Sequence, residues 1–202
     1  MEKTIHINGV NESMSRELNK ILSKAKNEDK IDITLNLDIY IPSTMFDVNF
    51  RSELINFIKK HYESRAYYMF YIEQVDYNPI IDNELPLVKL QGERYVMNIP
   101  LDVKILYFKK NDTVSLKLIL DNNIAENKIN VFGENTYISC KINLNNNQII
   151  EAGHQRVEAI KDNTYNKVYK KGDRIQVKIT SFFNNQLHNG FSPRINCEGI
   201  LI

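Results

Sequence analysis

Residues 104–120, KILYFKKNDTVSLKLIL, decide how the chain is read. Part of this stretch recurs. Residues 109–118, KKNDTVSLKL, align with residues 170–179, KKGDRIQVKI. Each copy runs Lys-Lys, then Asn or Gly, then Asp, then an alternating run that ends in Lys and an aliphatic residue. The bend needs glycine, or an asparagine that tolerates a left-handed backbone. Beyond it, Val114, Leu116 and Leu118 fall on one side, as do Ile175, Val177 and Ile179. That is the period of a half-buried strand. The two strands are expected to open the two halves of one small β-barrel. Asp112 and Asp173 read as turn residues rather than as a pair of catalytic carboxylates.

Upstream, the pattern mixes strand and helix. Residues 3–8 alternate as a short strand. From Asn11 the spacing turns helical, with Met14, Leu18, Ile21, Leu22 and Ala25 on one face. Residues 31–41, IDITLNLDIYI, alternate without a break, and Pro42 ends the run. Phe50, Leu54, Phe57 or Ile58, and Tyr62 then recur with helical spacing. The aromatic run 66–72 fits one buried strand, and the wider aromatic and β-branched stretch 67–75 is broken at Pro79. Residues 85–90 and 95–108 give further strands around Gln91-Gly92-Glu93. One helix among several strands describes a small α+β sandwich.

Downstream of Asp112 the chain is nearly all strand. If Glu134-Asn135 forms a two-residue hairpin loop, Phe132 pairs with Tyr137 and Lys128 with Lys141. Ile129, Val131, Ile138 and Cys140 then face inward. Residues 148–161 fit either a short helix or two strands. Residues 170–183 and 193–202, joined by an Asn/Gly-rich loop over 184–192, complete five strands, interrupted after the third, which suits an oligonucleotide-binding barrel.

With 202 residues, 43% apolar and 25% charged, the chain has the composition of an ordinary globular protein of one large or two small domains. Residues 1–107 carry 13 basic and 16 acidic side chains, and residues 108–202 carry 13 and 9, so the second half is the polyanion-facing one. No run of ~18 apolar residues would span a membrane, and the opening MEKTIHING has no hydrophobic signal region. The two cysteines lack metal spacing and fit a reducing compartment. Abundant Asn, Ile and Lys suggest an A/T-biased genome.

The four histidines, His6, His61, His154 and His188, are scattered, and no phosphate-cradling glycine loop or Gly-x-Ser-x-Gly motif occurs. The chain therefore reads as a binder rather than an enzyme. Phe132 and Tyr137 are candidates for base stacking and Lys128 and Lys141 for phosphate contact, with Lys170, Lys171 and Arg174 extending a basic track. An ordinary exterior aromatic pair and a solvated charge run are the competing readings.

From residue 31 onward the sequence resembles the stalk subunit of multisubunit DNA-directed RNA polymerases, a family that takes in the archaeal stalk protein and the seventh subunit of eukaryotic polymerase II. The run ITLNLDIYIPSTMF resembles that family's opening strand and its exit. Gly92-Glu93-Arg94-Tyr95-Val96, continuing to Tyr107-Phe108 and Lys110-Asn111-Asp112, resembles the strand that carries the chain between domains. Asn135-Thr136-Tyr137-Ile138-Ser139 and Lys171-Gly172-Asp173-Arg174-Ile175 resemble the third and fourth barrel strands. The chain departs from the family in two places. Lys109 and Asn111 stand where Pro and Gly are usual, and Lys128-Ile129-Asn130-Val131-Phe132 replaces a Gly-Phe-rich strand.

The resemblance implies an α+β chain. Residues 1–30 would be an extension with one helix. Residues 31–108 would form a ribonucleoprotein-like tip domain, and residues 109–202 an OB/S1-like barrel. It implies a non-catalytic polymerase subunit with no cofactor. Segments 43–49 and 85–94 would dock on the polymerase core, a second stalk subunit would pack along the interdomain seam, and the barrel would touch nascent single-stranded RNA. Divergence and composition together resemble a large DNA virus with its own polymerase, which implies host cytoplasm (the viral factory) or virion; a cellular version implies the nucleus. A stand-alone single-stranded nucleic-acid binder and a purely structural assembly subunit are the alternatives.

Overall fold

The computed structural model describes residues 4–7, 30–67, 69–123, 128–152, 157–183 and 191–202. The expected helix from Asn11 to Ala25 lies outside them. The chain divides into two compact units, with a break at Tyr107/Phe108 and a later segment, ending at Ser192, that returns to the first unit.

The first unit is built on one long antiparallel pair. Strand β1 (Thr4–Ile7) runs parallel to β2 (Ile31–Ile41). Period-two alternation puts Ile31, Ile33, Leu35, Leu37, Ile39 and Ile41 in the core, each contributing about 1.5–3 kcal/mol by its burial. Pro42 and a 3-10 turn at Ser43–Met45 end β2. Helix α1 (Phe50–His61) follows as its spacing predicts, with Leu54 and Ile58 buried and Tyr62 buried just beyond. Glu53 in its first turn and Lys59, Lys60 and His61 in its last complement the helix dipole.

The aromatic run is not one strand. It folds as a hairpin of β3 (Arg65–Tyr67) and β4 (Phe70–Val75), with Tyr67 opposite Phe70. No glycine or proline marks that turn, and burial of the residues on both strands hides it in a continuous apolar run. Pro79 does not end a strand either. It lies in the first turn of α2 (Asn78–Asp82), where a missing N–H costs no helical bond. Arg51 of α1 donates to the carbonyls of Ile80, Ile81 and Asn83, and so caps the end of α2.

The expected strand over 85–90 shrinks to β5 (Lys89–Gln91), which turns through Gly92 (φ 63°) into β6 (Arg94–Tyr107). Strand β6 pairs with all eleven residues of β2, from Ile31–Ile105 to Ile41–Tyr95. It also carries Pro100. The other side of β6 pairs with β5 only up to Val96 and with β4 only from Val103. Pro100 sits between, where that side is an edge and a missing N–H is tolerated.

The second unit holds β7 (Thr113–Asn123), β8 (Lys128–Glu134) and β9 (Ile138–Asn143), then β10 (Gln148–Ala152), β11 (Val157–Asp162) and β12 (Lys167–Lys170), then β13 (Arg174–Phe182). Strand β14 (Phe191–Ser192) pairs with β3, so the end of the expected loop 184–192 is strand and belongs to the first sheet, whose order is β1-β2-β6-β4-β3-β14. Strand β15 (Ile195–Leu201) ends the chain's ladder.

Strands β13, β15, β9, β8 and β7 close into a barrel in that order. Strands β15 and β9 are parallel, and β7 pairs antiparallel with β13. A closed five-stranded barrel of this kind is consistent with an oligonucleotide-binding architecture. Its interior takes Val114, Leu116, Leu118, Ile175, Val177 and Ile179, as the alternation predicts.

Cys140 and Cys197, scattered in the sequence, are register partners inside the barrel and both fully buried. A hydrogen bond with Cys140, reinforced by burial, pushes the Cys197 thiol far up, so it stays protonated and packs as a small apolar group. Gly199 opposite them is required by space. A Cβ there would lie 2.5 Å from Val177 Cγ1 and 2.8 Å from the Lys178 carbonyl.

The open choice at 148–161 resolves to two strands. With β12 they form a three-stranded sheet, β10-β11-β12, inserted between the third and fourth barrel strands. It is tied to the barrel by a buried polar pair. Gln148 Nε2 donates to Asp162 Oδ2 at 2.8 Å and to the Leu201 carbonyl at 3.4 Å. The Gln148 bond, together with backbone N–H donors from Thr164 and Tyr165, holds the Asp162 carboxyl below its usual range against the opposing effect of burial.

Candidate nucleic-acid interface

The hairpin β8–β9 carries the expected stacking residues, and its loop decides how they meet. Glu134 pairs with Ser139, Gly133 with Cys140 and Phe132 with Lys141. The connection is therefore four residues, 135–138, not two. Asn135 explains this. Its Oδ1 accepts from the Tyr137 and Ile138 N–H groups at 2.9 and 2.8 Å, and its N–H donates to the Ile138 carbonyl at 3.0 Å. A two-residue hairpin loop favours positive φ at its central positions, and Glu134-Asn135 offers no glycine for them. An asparagine side chain closing its own turn wins instead.

The four-residue shift keeps each described side chain on its expected face but changes its neighbours; the side chain of Ile129, expected inward, lies outside the described residues. Val131, Ile138 and Cys140 are buried as expected. Phe132 and Tyr137 are not opposite one another. Half-buried Phe132 lies between Ile119 of β7 and exposed Lys141 of β9. Half-buried Tyr137 sits in the loop, its carbonyl accepting from the Ile195 N–H at 2.8 Å. Lys128 opens β8 opposite Asn123, and its side chain lies outside the described residues.

Two outward rows cross the barrel. One runs Ile119, Phe132, Lys141, Glu198, Ser181. Here Ser181 Oγ donates to Glu198 Oε2 at 3.2 Å, so the carboxylate beside Lys141 already has a partner. The other runs Arg174, Lys117, Glu134, Ser139, Asn196. Glu134 there accepts from Arg194 and from Ser139. The rows are two residues apart, roughly 6.6 Å along the strands.

The seven expected residues thus do not form one cluster. Phe132 and Lys141 are adjacent. Arg174, with Lys170 and Lys171 at the preceding turn, lies on the β7–β13 side. Lys117, the register partner of Arg174, belongs with it and went unremarked in the sequence. Its signal was the outward position in VSLKL.

A second surface forms at one end of the first unit. Segment 43–49 meets Tyr95 there, the residue that follows segment 85–94 and pairs with its Leu90. Phe46 stacks on Phe50 at 5.4 Å and packs edge-on against Tyr95 at 5.1 Å. Tyr95 pairs with Leu90 on one side and Ile41 on the other. Phe46 and Tyr95 are 44% and 38% exposed and Leu90, the register partner of Tyr95, 67%, which makes this an exposed apolar patch.

Among the described residues no group of three or more His, Cys, Asp or Glu is placed to hold a metal ion, and no helix is long and apolar enough to cross a membrane. No protein-family model and no curated protein matches the chain.

Proposed function

We propose that the chain is a non-catalytic stalk subunit of a DNA-directed RNA polymerase. In this reading the first unit is the ribonucleoprotein-like tip, docking on the core enzyme, and the barrel, of ribosomal-protein-S1 type, guides nascent RNA. The observation that carries it is the contact of Phe46, in segment 43–49, with Tyr95, which follows segment 85–94 and pairs with its Leu90. The sequence resemblance assigned docking to these two segments from their separate places along the chain, and they share one exposed apolar patch. Such a patch suits a permanent protein partner. Core polymerase subunits and a second stalk subunit are the partners. Catalysis and its magnesium belong to those other chains. A viral source implies the viral factory or the virion, a cellular one the nucleus.

The Phe132–Lys141 row favours a second reading, a stand-alone single-stranded nucleic-acid binder. Affinity purification from the native or infected cell separates the two. The polymerase reading expects large polymerase subunits at fixed stoichiometry, lost in a Phe46→Asp/Leu90→Asp variant that still binds RNA. Recovery of the chain with nucleic acid but no polymerase would overturn it. For RNA contact itself, Phe132→Ala is expected to weaken single-strand binding by about 1–3 kcal/mol; Tyr137→Ala, in the loop, is expected to matter less.

A further inference from the structure

The repeated segments are related by a local two-fold axis. Gln176 pairs with Ser115, Arg174 with Lys117 and Lys178 with Thr113. Under the alignment that equates residue 109 with 170, Ser115 corresponds to Gln176 and Lys117 to Lys178. The pairing therefore maps the ribbon onto itself, with the axis between Ser115 and Gln176. The turns obey the same symmetry. The Asn111 N–H donates to Ile179 O at 2.8 Å and the Gly172 N–H to Leu118 O at 2.9 Å. The Ile179 N–H donates to Asp112 O at 2.9 Å and the Leu118 N–H to Asp173 O at 2.8 Å.

The outer face of this ribbon is basic at both ends. Lys117, Arg174 and Lys171 gather at one end, and Lys178 and Lys110 at the other. All but half-buried Lys178 are exposed. The two acidic residues of the repeats, Asp112 and Asp173, turn their carboxylates to the N–H groups of Lys109 and Lys170, each at 2.7 Å. Between the clusters stand only Ser115 and Gln176, both exposed, while exposed Thr113 lies opposite Lys178 in the second cluster. No aromatic side chain interrupts the face. Lys117 and Thr113, four residues apart, put the clusters roughly 13 Å from each other along the ribbon.

We propose that this face binds the phosphate backbones of a nucleic-acid duplex, with the ribbon's axis on a dyad of the duplex. A duplex presents two antiparallel phosphate strands related by two-fold axes, and protein symmetry matches them in kind. Lysine and arginine release counterions from such a backbone without reading sequence. Single-strand binders add aromatic platforms, which this face lacks and the Phe132 row supplies. The proposal rests on the barrel's reading as a nucleic-acid binder, not on the polymerase.

The test uses the full chain with an RNA duplex of about 16 base pairs, the matching single strand, and a DNA duplex of equal length. Lys117→Gln/Arg174→Gln and Lys110→Gln/Lys178→Gln are each expected to lower affinity for both duplexes about tenfold. Each is also expected to flatten the slope of log affinity against log salt by about 2. An unchanged melting temperature checks that these surface variants fold. Duplex affinity unchanged in both variants, or reduced in only one, overturns the proposal, as does absence of duplex binding by the parent. Phe132→Ala keeps the two ideas apart. Loss of single-strand binding in it, with no duplex binding by the parent, sinks the dyad face and leaves the RNA-contact reading standing.

Discussion

The turns at residues 109–112 and 170–173 reach one geometry from different residues. In each, the first lysine's N–H bonds the aspartate carboxylate at 2.7 Å, and the aspartate N–H returns to that lysine's carbonyl at 3.1 or 3.0 Å. In each, the residue before the aspartate is left-handed, Asn111 at φ 76° and Gly172 at φ 95°. The surroundings differ. Asp112 is half-buried and Asp173 exposed, and the second turn follows an inserted sheet while the first follows the domain division. The hydrogen bonds, not the identity of the bend residue, are what the two turns hold in common.

The largest effects should come from the residues that the symmetry brings into the barrel interior. Leu118 and Ile179 occupy equivalent positions, and both are fully buried. Leu118→Ala and Ile179→Ala should each destabilise the barrel by about 2–5 kcal/mol, read from denaturant unfolding. If the two halves pack alike, the two costs should agree within about 1 kcal/mol. A wide gap would mean that the equivalence stops at the backbone.

Next come the carboxylates. Asp112→Ala and Asp173→Ala each remove an acceptor from a lysine N–H, a loss comparable to that of a helix cap, about 0.5–2 kcal/mol. Asp112 should sit at the upper end, because water reaches a half-buried N–H less readily than an exposed one. Equal costs in thermal unfolding would show that the difference in burial has no energetic weight.

The same contrast explains what could be read from sequence. The strand 31–41, the helix from Phe50 and the inward faces of β7 and β13 were legible because period and burial agree there residue by residue. The hairpin at Tyr67–Phe70 was not, since Ala66, Tyr67, Phe70, Tyr71 and Ile72 on either side of the turn are all buried and apolar or aromatic, and no turn residue breaks the run. The β8–β9 register failed on one side chain. Asn135 closes a longer loop through its own carbonyl oxygen, and alternation survives a four-residue shift without a trace. Of the candidate surfaces, the residue types at Phe132 and Lys141 could be named in advance, but their adjacency could not. The Phe46–Tyr95 contact joins segments separated by two helices and a hairpin, and no local pattern reports such a meeting.

The smallest effects come from exchanging the two bend residues, measured against an alanine at the same bend. Gly172 has room for a side chain, since a Cβ there would come no nearer than 3.7 Å to Lys117 Cε. Gly172→Ala should therefore cost only the left-handed conformation, about 1–2 kcal/mol. Gly172→Asn should recover most of that, because asparagine already serves at the equivalent Asn111. The reciprocal change, Asn111→Gly, sets easier access to positive φ against greater freedom of the unfolded chain, and should move stability by less than about 0.5 kcal/mol. If Gly172→Asn proved as costly as Gly172→Ala, the second turn would need glycine for some reason other than its φ. The two bends would then be alike in outline and different in cause.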